Sequence, residues 1–225
     1  MIVFLDIVLG IAALLAWSVM LYNPCFKRFW DIVLSLIALV VLSPVMMVLT
    51  VLGAIKMKGN PFFTQERPGK EEKIFKLIKF RSMTCEKDKE GNLLPDEVRL
   101  TGYGKKLRST SLDELPELIN VLKGDMSFVG PRPDVPGYAD KLEGDNKRIL
   151  ELKPGITGPA SLKYRNEEEI LAKQEKPQEY NDNIIYPDKI KINLYYLDHY
   201  SFFTDLKIIL CTVFGRRMRY GEEVI

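Results

Sequence analysis

The sequence predicts an α+β chain, mainly helical, in which N-terminal membrane helices, one of them a Pro-kinked re-entrant helix hairpin, precede a small cytoplasmic domain with a β-hairpin. Three observations carry this expectation. Nearly everything up to about Ile55 is apolar and the remainder is charged, so the chain meets lipid first and water second. The second apolar run is interrupted at Ser43-Pro44, where proline removes a backbone hydrogen bond. Beyond it, the periodicity is strand-like at 73–83 and helix-like at 112–122.

Composition narrows the chemistry. A length of 225 residues fits one or two domains. The net charge of +2, with no long basic run interleaved with aromatics, argues against a nucleic-acid partner. Cys25, Cys85 and Cys211 are isolated and odd in number, which gives no disulfide framework or metal pair and suits a reducing cytoplasm. His199 is the only histidine, which argues against a His-based metal site or a Ser-His-Asp triad. Any catalysis falls to carboxylates, Lys and Arg.

Residues 1–22 form the first apolar segment. Its run of about 20 residues is just long enough to cross a hydrocarbon core. No Lys or Arg precedes it, unlike a secretory signal. Spanning and lying in the interface both remain open. Residues 26–58 form the second segment. Ser43-Pro44 divides it into halves too short to span, with Lys27 and Arg28 before it and Lys56 and Lys58 after it. Positive flanks on both sides favour two cytoplasmic ends. A re-entrant hairpin dipping into one leaflet satisfies both facts; a kinked spanning helix is the competing geometry.

Residues 59–225 make the water-facing domain. Phe62–Lys70 reads as a short extended piece with a Pro-Gly turn, and 73–83 as a strand able to pair with it. The cations of that strand suit a solvated face or anionic lipid heads, and Lys79 and Arg81 are the better phosphate candidates. Gly102, Gly104, Lys105 and Lys106 do not have Walker A spacing. A charged helix is expected over Gly137 to Leu152 and a turn-rich loop over Lys153 to Pro159. A mostly polar loop comes next, from Glu167 to Asp188. The aromatic-rich segment ending at Phe214, too short and too interrupted by Asp205 and Lys207 to span and followed by Arg216, Arg217 and Arg219, reads as an interfacial helix or as a plain core helix.

The helix of Leu112, Leu115, Leu118, Ile119 and Leu122 opens on Asp113-Glu114. One reading is structural. Ser111-Leu-Asp-Glu114 has the capping-box pattern, with Ser111 as N-cap and Glu114 at N3. The other is functional, with the helix start keeping a nucleophilic carboxylate ionised and offering amides to phosphate. The neighbours favour the second. Arg108 lies just before the pair, and Gly130-Pro-Arg-Pro133 just after the helix can hold Arg132 rigidly for phosphate.

Several motifs together resemble a known family. They are Phe26-Lys-Arg-Phe-Trp-Asp31, Ser43-Pro44, Phe63-Thr-Gln-Glu-Arg-Pro-Gly69, Lys79-Phe-Arg-Ser-Met83, Arg108 with Ser111-Leu-Asp-Glu-Leu-Pro116, the run Asn120 to Pro133, and Pro154-Gly-Ile-Thr-Gly158. In this order they are similar to the bacterial sugar transferases called monotopic phosphoglycosyl transferases. The resemblance implies a re-entrant helix broken at Ser43-Pro44 and a catalytic domain on the cytoplasmic face of the bacterial inner membrane. It also implies transfer of a sugar 1-phosphate from a UDP-sugar to polyprenyl phosphate, with Mg²⁺, releasing UMP. Such a step begins exopolysaccharide, capsule, O-antigen or glycoprotein glycan assembly, and makes membrane lipids and downstream glycosyltransferases the expected neighbours.

The same resemblance places the catalytic pair on Asp113, as nucleophile, and Glu114, which helps hold Mg²⁺ or steers protons. Arg132 and Arg165 match phosphate-contacting positions; Arg108 and Lys79 join them as candidates from the reading of the residues. No motif in the sequence discloses the sugar. The competing classes are a non-catalytic membrane scaffold of a polysaccharide assembly complex and a membrane phosphatase or pyrophosphatase.

Overall fold

The structure, a computed structural model, describes residues 24–225 apart from 58 and 136, together with Gly10, Ala13, Trp17 and Tyr22. The apolar segment 1–22 lies outside the described residues except for those four.

Helix α1 runs from Pro24 to Lys56, 33 residues with Pro44 inside, or about 50 Å at about 1.5 Å per residue. By length and composition it can cross a membrane. It continues through Ser43-Pro44 as one element, where the sequence suggested two halves. The reason is local. Proline leaves the carbonyl four residues back without its N–H partner, and Ser43 Oγ donates to that carbonyl, Val40 O, at 2.7 Å. Thr50 likewise returns its hydroxyl to Met46 O. No hydroxyl of this pair is left for lipid to meet unsatisfied.

The helix buries Lys27, Asp31, Ser35, Leu49 and Gly53, while Leu36, Ile37, Val40, Val41, Met47, Val48 and Ile55 stay exposed. Its two ends pack on the same domain. Near the start, Arg28 donates to Val121 O and Leu122 O. Asp31 Oδ1 accepts from Ser127 Oγ and from the Phe128 amide. Near the end, Tyr103 donates to Leu49 O at 2.9 Å, and Leu49 joins Phe80 and Leu107 in one apolar cluster.

Strands β1 (Phe62–Pro68) and β2 (Ile74–Phe80) form the expected antiparallel hairpin, with Phe62 opposite Phe80 and Phe63 opposite Lys79. Helix α2 (Gly102–Ser109) is capped by Thr101, whose hydroxyl accepts from the Gly104 amide. Helix α3 (Glu117–Lys123) ends at Gly124 with φ 97°, the left-handed conformation that glycine adopts without penalty. A short parallel pair, β3 (Ser127–Val129) and β4 (Gly155–Thr157), was not anticipated.

The charged helix expected over 137–152 is absent as such. It is replaced by 3-10 turns at Ala139–Lys141 and Gly144–Glu151, separated by extended Leu142 and Glu143. Residues 155–157, expected in a loop, form β4, and α4 (Pro159–Lys163) follows it. The polar stretch after Glu167 contains short helical turns leading into α5 (Tyr186–His199). Helix α6 (Phe202–Phe214) starts at Ser201, which accepts from the Thr204 amide.

Helix α6 has one buried face and one exposed apolar face. Asp205, Ile208 and Cys211 are buried, whereas Phe203, Leu210, Val213 and Phe214 are exposed. The main core gathers Val129, Leu162, Tyr196, Ile208, Cys211, Met218 and Ile225. Within it, Asp205 pairs with Lys27 of α1 and accepts from Tyr196 Oη. Asp205 therefore does not interrupt an apolar segment; it is the counter-charge that fastens α1.

Candidate active site

Asp113 and Glu114 lie on a 3-10 turn, Leu112–Glu114, before α3. The capping box does not form. Ser111 is left-handed (φ 53°) and makes no side-chain cap bond, and α3 begins only after Pro116. Glu114 is drawn elsewhere, because two cations offer it a stronger contact than a backbone amide does. Lys79 Nζ lies 2.8 Å from its Oε1, and Arg132 contacts the same oxygen. Leu112 and Leu115, which flank the pair, pack against the cluster to which α1 supplies Leu49. The turn thus packs on α2 and β2, in a cluster that the apolar helix joins through Leu49.

Glu114 and Asp113 differ electrostatically. Burial works to raise the Glu114 carboxyl, but Arg132 and Lys79 outweigh it and hold the group below the usual carboxylate range. Asp113 is 9% exposed and makes no ion pair among the described residues. Burial raises its carboxyl, the neighbouring Glu114 charge adds to this, and Lys79, its own amide and Arg108 oppose it. The idea that a helix start keeps Asp113 ionised is therefore corrected: it lies on a 3-10 turn ahead of the α-helix, and its carboxyl is shifted upward. A more basic carboxylate that no cation has neutralised is the more reactive of the two.

Arg108 donates from Nε to Ser82 Oγ at 3.0 Å and is close enough to act on Asp113 through its charge. Arg132 belongs to a rigid turn. Gly130 donates to Thr157 O, and Gly155 to Pro131 O. A Cβ on Gly130 would sit 2.3 Å from Lys153 O, so only glycine allows this approach. Arg67 donates to Pro133 O from the far side.

Lys79, Arg108 and Arg132 are thus gathered around the dyad. Arg165 is elsewhere: its guanidinium donates to Cys211 O and Thr212 O, the last carbonyls of α6. Ser43 and Pro44 lie along α1 and act on the site only through the helix that contains them.

The sequence reading missed Glu117. Its side chain is 3% exposed and its Oε1 is 3.2 Å from Lys79 Nζ. Burial, reinforced by Glu114 and opposed by Lys79, moves its carboxyl up to about 7. The available signal was its place three residues after Glu114, which allows two carboxylates to share one cation.

Among the described residues no group of three or more His, Cys, Asp or Glu side chains makes a metal site by itself. Mg²⁺ needs less, since it binds through one or two carboxylates together with substrate phosphates and water. The hard oxygens of Asp113 and Glu114 fit that donor set.

Comparison with known proteins gives the family. The bacterial sugar transferase pattern matches residues 22–217. The chain is 42% identical over 198 residues to the uncharacterized sugar transferase EpsL of Bacillus subtilis (strain 168), covering 88% of this chain and 89% of that protein. It is 41% identical over 199 residues to the UDP-glucose:undecaprenyl-phosphate glucose-1-phosphate transferase of Klebsiella pneumoniae, covering 85% of this chain and 40% of that one. The UDP-N-acetylgalactosamine-undecaprenyl-phosphate N-acetylgalactosaminephosphotransferase of Aeromonas hydrophila is 32% identical over 192 residues, covering 83% and 42%. The chain therefore spans about two fifths of the longer relatives and most of EpsL. With most of its length matched and these identities, the chain belongs to the bacterial sugar transferase family.

Proposed function

We propose that this protein transfers a sugar 1-phosphate from a UDP-sugar to undecaprenyl or a related polyprenyl phosphate, as the first membrane step of a surface polysaccharide. One observation carries the reading. Asp113 is a buried carboxylate with no ion pair among the described residues, set among Lys79, Arg108 and Arg132, on a turn whose leucines pack in the cluster that the apolar helix joins through Leu49. The names of the relatives supply the donor and acceptor classes.

Phosphoryl transfer depends on charge neutralisation and in-line positioning. Asp113 attacks the sugar-bearing phosphorus, forming an aspartyl-phosphate bond as the bond to UMP breaks. The phosphate oxygen of the polyprenyl acceptor then attacks that phosphorus, the aspartyl bond breaks, and the carboxylate is restored. Arg132, half-exposed at the rim, receives the incoming diphosphate, and Lys79 and Arg108 balance charge beneath it. Asp113 and Glu114 would hold Mg²⁺, which when bound supplies further neutralisation of the diphosphate.

The re-entrant arrangement is part of this proposal. Both ends of α1 pack on one domain, which favours both ends lying on the same membrane face, here the cytoplasmic one. The exposed apolar faces of α1 and α6 then meet the lipid. The test is UMP release from a panel of UDP-sugars with polyprenyl phosphate. Asp113→Asn is expected to abolish it; full activity in that variant would remove Asp113 as nucleophile.

A further inference from the structure

Lys79 is shared by two carboxylates, and the proposed chemistry uses only one of them. Its ammonium lies 2.8 Å from Glu114 Oε1 and 3.2 Å from Glu117 Oε1, with side-chain exposures of 20%, 15% and 3% for Lys79, Glu114 and Glu117. Arg132 contacts the same Glu114 oxygen from the rim, with its own side chain 51% exposed.

We infer that Glu117 is a positioning residue for donor binding: it anchors Lys79 on the floor of the site and draws it partly off Glu114, so that Glu114 can change partners when a diphosphate arrives. The inference deepens the transferase reading and rests on it for the identity of the donor.

The charges show why. Lys79 and Arg132 are balanced by Glu114 and Glu117, while Arg108 stands near Asp113. A diphosphate must compete with Glu114 for Arg132. Half-exposed Arg132 can leave its partner for the ligand, but Lys79 is enclosed. Without the Glu117 charge, two cations would face Glu114 alone. They would hold it more tightly and slow its change of partners during turnover, because an uncompensated charge in a poorly solvated place is costly. The floor would also gain net positive charge and bind an anionic donor more strongly. An amide at 117 can still accept from Lys79. What glutamate adds is charge, so Glu117→Gln isolates the effect.

The experiment uses the full chain in detergent at pH 8, with the UDP-sugar that the wild type turns over and with UDP as a calorimetric probe. Glu117→Gln is expected to lower donor KM and UDP Kd about threefold or more, and kcat about tenfold or more. Glu117→Asp, which keeps the charge, should bring KM back towards wild type. Unchanged KM and Kd in Glu117→Gln overturn the inference, because a merely structural loss reduces kcat alone. If Glu117→Gln does not fold, Lys79→Gln is compared with the charge-balanced Lys79→Gln/Glu117→Gln. Since Glu117 acts through Lys79, equal UDP Kd is expected, and a further shift of about fivefold or more overturns the inference. Should the wild type turn over no UDP-sugar, the transferase reading fails, while the UDP titration still decides the role of Glu117.

Discussion

Removing Asp205 should loosen the apolar helix from the catalytic domain. Asp205 and Lys27 are 5% and 8% exposed. The carboxylate also accepts from Tyr22 Oη at 2.9 Å and from the fully buried Tyr196 Oη. Asp205→Ala leaves the Lys27 ammonium buried without its counter-charge, which costs about 3–5 kcal/mol. For a chain of this size, about 2–4 °C of Tm accompanies each kcal/mol, so a fall of about 6–20 °C is expected.

The double variant Lys27→Met/Asp205→Leu should recover most of this, because exchanging a buried ion pair for packed apolar groups is close to neutral. The residual loss comes from the Tyr22 and Tyr196 hydroxyls, of which Tyr196 keeps Val129 O at 3.4 Å among the described residues, and amounts to about 1–3 kcal/mol. Thermal unfolding of the detergent-solubilised protein measures all of these. A shift under about 2 °C for Asp205→Ala, or a double variant as damaged as the sum of the singles, would refute the reasoning.

Three further outcomes rest on particular contacts. Gly104→Ala places a Cβ 1.8 Å from Ser82 O. It should cost about 1–3 kcal/mol or more of stability and reduce turnover, because Ser82 holds Arg108; melting and UMP release measure both. Arg165→Ala removes one donor to the last-turn carbonyls of α6, which keep the Gly215 and Arg216 amides, and should lower Tm by a few degrees, equivalent to about 0.5–1.5 kcal/mol. A donor KM raised about tenfold or more would instead mark Arg165 as a direct phosphate contact. In a Cys85→Ser background, a membrane-impermeant thiol reagent should reach exposed Cys25 and an introduced Gly59→Cys from the same, cytoplasmic, side; labelling from opposite sides would rule out the re-entrant arrangement.

What was legible in the sequence is what local pattern controls. Alternation over 73–83 gave the hairpin, and the leucines after Ser111 gave the apolar face on which the dyad turn rests. What local pattern misled on is where distant charge decides. Ser111 and Glu114 have a capping-box spacing, but Lys79, from 35 residues earlier, and Arg132 claim the glutamate. Glu117 offered no signal beyond its place three residues after Glu114, and β2 brings Lys79 over it. Asp205 looked like a flaw in an apolar segment because its partner is 178 residues away. The β3–β4 pair escaped notice because each strand is three residues long and the pairing is fixed by glycine contacts across the turn. Pro44 suggested a broken helix, and only the Ser43 hydroxyl on Val40 O shows how the chain continues through it.

The covalent step on Asp113 is the centre of the account, and intact-protein mass measurement addresses it directly. Wild-type protein incubated with the UDP-sugar that it accepts, in the absence of polyprenyl phosphate, should gain the mass of one sugar phosphate and lose it when polyprenyl phosphate is added. Asp113→Asn should show no gain. An adduct of the same mass on Asp113→Asn, or turnover of the donor by wild type with no adduct forming under any donor concentration, would contradict it.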